Sequence, residues 1–270
     1  MFKKTILFPS KSGQKLLGVD KTPIVLGNLI NGIVNTVECS ENLDNNLRNL
    51  YVENMKTLDA KLNIGGDHSM SIATVASSLR MNKNLKVLWI DAHGDINTRK
   101  SSNTNNYHGM PLGFLTKLDR RKFKFIVPRL DFSNLMYVGI RDLDSYEKSV
   151  IRRKKIKYIT SSNLNNNTKE SIKKIKKFIN NDPLHLSFDV DALDPRYMRC
   201  TGTRCKNGLE LKSAKQMLDE LKKEKIVNMD ITEFNMELGK KKDKERSIYN
   251  YLKLFEEYID FKEVQQISEV

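Results

Sequence analysis

Cysteine is scarce in this 270-residue chain: Cys39, Cys200 and Cys205 are the whole complement. An odd number of thiols, with no export leader, excludes a disulfide framework and points to reduced cysteines in a cytoplasmic setting. Cys200 and Cys205 lie in CTGTRC, but two soft ligands without a second pair fall short of a zinc site. Long apolar runs are missing too. No stretch approaches the roughly 18 consecutive apolar residues that a membrane span needs, and the hydrophobic part of MFKKTILFPS is too short for a secretory signal. The expectation is a soluble, cytoplasmic protein with no membrane partner. No internal repeat and no linker rich in Gly, Pro or Ser divides the chain. With 39% hydrophobic residues it can bury one substantial core, so residues 1–270 read as a single domain.

Negative charge is in deficit. Forty-seven Lys and Arg against 33 Asp and Glu leave a net charge of +14, which invites a nucleic-acid partner because clustered lysines attract phosphate. The distribution argues against one. Lysines are scattered, with local runs only at Arg152 to Lys155 (RRKK) and Lys240 to Arg246 (KKKDKER), and such runs are usually solvated helix faces or loops. A catalytically silent basic binding module is the competing reading from another class.

What is present is alternation. Short apolar runs rich in β-branched residues fall at Lys4 to Phe8, Leu62 to Ile64, Leu85 to Ile90, Leu135 to Ile140, Ile156 to Ile159, Leu184 to Phe188 and Ile226 to Ile231. Helical patterns fill the gaps, at about Asn42 to Asp59, Met70 to Met81, Pro111 to Leu118, Ser145 to Lys154, Lys169 to Ile179, Leu211 to Lys223 and Glu245 to Asp260. This is the signature of βαβ units, and it predicts an α/β fold with a doubly wound, mainly parallel sheet flanked by helices. Asn163 to Thr168 (NLNNNT) and Ser101 to Tyr107 (SSNTNNY) read as polar loops. The second follows an acidic cluster at a strand end, where open α/β sheets bind ligands.

That cluster is LKVLWIDAHGDIN, in which Asp91, His93 and Asp95 stand two apart after an apolar strand. Residues at i, i+2 and i+4 of an extended segment face the same way. Converging carboxylates at a buried strand end repel each other and lose hydration unless a cation compensates. LHLSFDVDALDP repeats the arrangement with Asp189 and Asp191. GGDHS supplies a third strand end, where Gly65 and Gly66 permit a sharp turn that brings Asp67 and His68 to the same edge. Each segment alone has an equally good structural explanation, as a helix cap, a core histidine or a plain turn. Together they offer six oxygen and nitrogen ligands, four of them anionic and none a thiolate, which suits hard or borderline divalent ions. Four carboxylates balance two such ions, and metal-assisted hydrolysis is the implied chemistry.

GGDHS, DAHGDIN, HGMPLGFL, VGIRDLDSYE, SFDVDALDP and DITEFN, with GVDKTP near the start, occur in an order and spacing that resemble the arginase branch of the ureohydrolases. The likeness runs from about Leu17 to Phe234 and implies a three-layer α/β/α metallohydrolase. It implies two Mn2+ ions, one held by His68, Asp91, Asp95 and Asp189 and the other by Asp91, His93, Asp189 and Asp191. Asp91 and Asp189 would bridge, and Asp95 would also serve catalysis. The implied reaction cleaves the guanidinium of L-arginine to urea and L-ornithine. His108, in YHGMP, matches the family's proton-shuttling histidine, and an imidazole suits delivery of a proton to the departing amine. Glu233, in DITEFN, matches the glutamate that contacts the guanidinium; an internal salt bridge is its structural alternative.

The resemblance carries the substrate contacts as well. Asn97 and Thr104 match positions that bind the α-carboxylate, Asp144 and Glu147 those near the α-amino group, and Thr203 the threonine near the catalytic histidine and glutamate. A site equipped for both α-groups would prefer arginine to agmatine, the alternative guanidino substrate. The family also implies a homo-oligomer, a trimer. Several positions depart from it: Thr104 stands where serine is usual, Ala192 where glycine is, Arg204 and Met236 where prolines are. None removes a metal ligand, but Arg204 beside Thr203 would oppose a cationic substrate. After Asn235 the chain does not visibly follow the family, which bears on the trimer.

Overall fold

A computed structural model describes residues 2–119 and 123–262. Eight strands form one sheet: β1 (Lys4–Phe8), β2 (Val34–Thr36), β3 (Lys61–Gly65), β4 (Lys86–Ile90), β5 (Leu135–Ile140), β6 (Lys157–Thr160), β7 (Leu184–Asp189) and β8 (Ile226–Thr232). Their order is β2-β1-β3-β8-β7-β4-β5-β6, and every pairing between neighbours is parallel. The expected parallel α/β sheet is therefore present. Nine α-helices of the described residues flank the sheet, eight between strands and the last after β8: α1 (Thr22–Asn28), α2 (Leu43–Met55), α3 (Ser71–Met81), α4 (Pro111–Leu115), α5 (Ser145–Lys154), α6 (Ser161–Asn166), α7 (Thr168–Ile179), α8 (Leu211–Leu221) and α9 (Lys241–Phe255). Among the described residues, no helix is long and apolar enough to cross a membrane.

Both faces of the sheet are covered, which is why its central strands read as continuous apolar runs. The period-two alternation sorts them: Leu88 and Ile90 of β4 join a core with α1 and α6 to α9, whereas Val87 and Trp89 join a second core with α2 to α5. Three layers result.

Three elements escape the sequence reading. β2 is three residues, VNT, with no apolar run. α1 spans seven residues and contains both Pro23 and Gly27. The segment Asn163 to Thr168, expected as a loop, instead ends α6 and begins α7; Thr160 caps α6 by accepting from the Asn163 N–H, a polar start that apolar periodicity does not register. α9 begins at Lys241 rather than Glu245, because Asp243 accepts from the Lys240 N–H, and it stops at Phe255, short of Asp260.

Candidate metal centre and active site

The sheet places the candidate residues by strand order. β3, β8, β7 and β4 are consecutive neighbours, and their carboxyl ends carry His68, Glu233, Asp189 with Asp191, and Asp91 with His93 and Asp95. The chain leaves β3, crosses β8 and β7 through α3, and enters β4, so the four ends surround a crevice of the kind that open sheets use for ligands.

After β3 the backbone turns sharply. Gly66 donates to Phe8 O, Asp67 donates to Ser10 O, and a Cβ on Gly66 would run into the Ser10 carbonyl. Asp67 then accepts from Ser69 N (2.9 Å) and Gly13 N (2.9 Å), so it fixes the turn while His68 points into the cluster. At the other strand ends the aspartates bind their own backbone. Asp91 accepts from His93 N (2.7 Å), and Asp189 accepts from Asp191 N (2.8 Å). These local bonds orient one carboxylate oxygen each and leave the others to converge.

The convergence is close. His68 Nδ1 lies 3.1 Å from Asp91, 2.9 Å from Asp95 and 3.2 Å from Asp189. His93 Nδ1 lies 3.0 Å from Asp191 and 3.4 Å from Asp91. Two ligand sets result, His68 with Asp91 and Asp189, and Asp91 with His93 and Asp191, sharing Asp91. All six expected ligands thus meet in one place.

Whether this cluster suits cations can be judged from its own geometry. None of the three carboxylates is aligned to receive a hydrogen bond from His68 Nδ1, which has no such partner although it is buried. Its other nitrogen, Nε2, sits 2.9 Å from Ser187 Oγ; with the ring proton on that side, Nδ1 presents a lone pair among three carboxylate oxygens, a coordinating arrangement. Electrostatics agrees. Burial, then Asp91, raises the Asp95 carboxyl to about 7, and burial, then Asp191 and Asp91, raises Asp189. Burial opposes charge on His68 and His93, yet the surrounding carboxylates raise both. Such a site lacks positive charge, and divalent ions fit it.

Trp89 and Ser187 support the ligands and were not anticipated. The Trp89 indole stacks on His68, with centroids 4.2 Å apart, and donates to Asp91 Oδ2 at 3.0 Å. Both alternate with ligands along their strands, but their residue types alone carry no sign of metal support. Gln14 was also missed; it donates to Glu233 Oε2 at 2.8 Å from 219 residues away.

Beside the cluster lies a cavity of about 240 Å³, room for a small molecule. His93, Asp95 and Asp189 of the cluster line it, together with Thr203, His108, Asn97, Asp144 and Glu147. Thr203 donates to Asp191 Oδ2 (2.7 Å). Asn97 accepts from Ser101 Oγ and donates to Asp144 Oδ2, both at 2.7 Å, so its amide is oriented. Thr104 is not on the cavity wall; its hydroxyl accepts from Asn106 N (3.2 Å) and lies 3.4 Å from Ser102 Oγ, within its own turn. Arg204 is not there either, its guanidinium turned back to the Arg199 carbonyl, so the expected opposition to a cationic substrate does not arise from contact.

Glu233 and His108 form the remaining pair. Glu233 Oε1 accepts from His68 N (2.8 Å) and lies 3.1 Å from His108 Nδ1. Burial would lower the His108 imidazole, but the Glu233 carboxylate, with Asp67 and Asp95 nearby, raises it to about 9. Asp95 and Glu233 both adopt left-handed backbone conformations, φ 48° and 65°. Strained non-glycine residues of this kind cluster where side-chain aim matters to function.

Comparison with known proteins agrees with this geometry. A sequence profile described as the arginase family matches residues 13–256. The arginase of Entamoeba histolytica is 35% identical over 229 residues, 82% of this chain and 76% of that protein. The Plasmodium berghei arginase is 37% identical over 185 residues, 64% of this chain but only 52% of the longer relative. In three dimensions, the crystal structure of Entamoeba histolytica arginase with L-ornithine superimposes with a TM-score of 0.84 and 30% identity, covering 94% of this chain and 98% of that one.

Proposed function

Because the chain belongs to the arginase family, we propose that it hydrolyses the guanidinium group of L-arginine to urea and L-ornithine, with two Mn2+ ions. The observation that carries this reading is the convergence of His68, Asp91, Asp95 and Asp189 with His93 and Asp191 next to a cavity of small-molecule size. When bound, the ions supply Lewis-acid activation of water. Asp91 and Asp189 are the proposed shared ligands.

The protein's own groups divide the remaining work. His108, against Glu233 and on the cavity wall, holds a proton at an imidazole nitrogen for the departing amine. Glu233, buried behind the cavity wall, holds His108 in place, and its carboxylate is the proposed charge-assisted partner of the guanidinium. Asn97 faces the α-carboxylate, and Asp144 and Glu147 face the α-amino group. Thr203 orients Asp191 from the cavity side.

A second substrate, agmatine, draws on one observation. With Thr104 off the cavity wall, recognition of the α-carboxylate rests on fewer groups. Urea release from arginine and agmatine, measured with manganese and other divalent ions, decides between them. A higher kcat/KM for arginine is expected, and the reverse ratio would refute the assignment. We further read residues 1–270 as one metallohydrolase domain acting in the cytoplasm as a homo-oligomer, a trimer by family likeness.

A further inference from the structure

A second groove, larger than the cavity beside the cluster, lies apart from it and shares none of its lining residues. It has a volume of about 1010 Å³ and opens along β6, the edge strand of the sheet, whose outer side has no strand partner among the described residues. α5 and α7, on opposite faces of the sheet, form its two banks.

Its charge is of one sign. Lys148, Arg152, Lys155, Lys157, Lys174 and Lys177 line it, all exposed, and no carboxylate does. None of the six has an ion-pair partner among the described residues. A seventh cation, Arg141, is committed inward, donating to the carbonyls of Gly139, Asp191, Ala192 and Cys205. The RRKK run is thus not simply a solvated helix face. The fold gathers two of its members with four lysines from other positions around one groove. A single lysine would protect an edge strand from casual pairing; six cations without an ion-pair partner among the described residues, Lys157 among them 5.6 Å above the Phe178 ring, over an apolar floor of Met136, Ile151, Ile159 and Phe178 do more than that.

We propose that the β6 edge is a docking site for an acidic polypeptide segment that adds to the sheet as an extended strand. Three features select this occupant. Unpaired backbone groups of an edge strand are satisfied by another strand. The alternate side chains of such a strand present two faces, apolar ones to the floor and carboxylates to the lysine-rich banks. A second copy of this chain is disfavoured, since two β6 edges would bring two sets of cations together. Single-stranded nucleic acid would need a row of stacking rings, and Tyr158 is the sole exposed aromatic of the groove.

The test uses the full-length, manganese-loaded protein and a fluorescent decapeptide of alternating Glu and Val, followed by anisotropy. Binding is expected, weakened by salt. The combined substitutions Arg152→Glu, Lys157→Glu, Lys174→Glu and Lys177→Glu should weaken it at least about tenfold, the loss of several charge contacts, while urea release stays unchanged. Should that variant fail to fold, the neutral pair Arg152→Gln with Lys174→Gln reads the same direction at smaller amplitude. A peptide of the same charge with proline at every Val position should bind markedly less. The proposal is overturned if the Glu-Val peptide does not bind, if the charge-reversed protein binds it as well as the original, if the proline peptide binds equally, or if an oligouridylate of matched charge binds more tightly.

Discussion

Asp144 and Glu147 each accept the other's backbone N–H across the first turn of α5, at 2.8 Å from Glu147 N to Asp144 and 3.2 Å from Asp144 N to Glu147. The two carboxylates assigned to the substrate α-amino group are therefore also the capping box of a helix. The two roles separate by substitution. Asn caps as well as Asp, so Asp144→Asn should keep the thermal stability while raising KM for arginine. Asp144→Ala should raise KM as well and also lose about 1 kcal/mol of stability with the cap. Equal stability loss in the two variants would show that capping does not depend on the side-chain oxygen.

Asp91 is shared by the two ligand sets. Its removal should therefore weaken both ions, not one. Elemental analysis of Asp91→Ala after gel filtration should find less than one equivalent of metal bound, and activity should fall with it. Retention of a full single equivalent would show that one site survives without the shared carboxylate.

His108 belongs to the cavity wall but not to the ligand cluster. His108→Asn should leave metal content and KM close to those of the parent while kcat falls by about 10²-fold or more, the usual range for loss of a positioned acid. A fall in bound metal together with rate would reassign the residue to support of the cluster.

The strand ends and the six clustered His and Asp side chains were legible because each relies on a local pattern: an apolar run closed by Asp, His or Gly at fixed spacing. Other parts leave no such trace. Thr104 matches a family position, yet its hydroxyl is spent inside its own turn, a loop conformation that spacing does not encode. Gln14 reaches Glu233 only because the loop after β1 folds against the turn after β3. β2, α1 and α6 are too short or too polar to show a period and rest on tertiary contacts instead. The groove along β6 depends on bringing α5, β6 and α7 together, so its charge looked like scatter along the chain.

Between α3 and the sheet lies a buried polar network that also escaped the sequence. Asp230 on β8 accepts from Ser71 (2.8 Å), Thr74 (2.5 Å) and Asn63 (3.0 Å), and lies 3.1 Å from His185 Nε2. Burial opposes its charge, but His185, Thr74 and Ser71 hold its carboxyl below the ordinary range. Removing the carboxylate leaves Ser71, Thr74 and Asn63 buried without their shared acceptor, a loss of about 1 to 3 kcal/mol. Asp230→Ala should show that loss in urea denaturation, and the double substitution Asp230→Leu with His185→Leu should recover part of it. A single-variant loss below about 1 kcal/mol would mean that water takes the place of the carboxylate.

Acid sensitivity should be traceable to Glu53, a largely buried carboxylate of α2. Burial alone would raise it, but hydrogen bonds from Lys4 (2.6 Å), Lys56 (2.5 Å) and Asn35 (3.1 Å) bring it down to about 2. The folded state then favours the charged form relative to the unfolded chain, whose ordinary value is 4.5. Its contribution to stability is complete above that value and is lost as pH falls through about 2. With allowance for solvent screening, the contribution is about 2 kcal/mol. Urea denaturation of the parent and Glu53→Gln should differ by that amount at neutral pH, and the difference should shrink steadily as the solution is acidified through the window. A difference that stays constant with pH would place the effect of the substitution in packing rather than in charge.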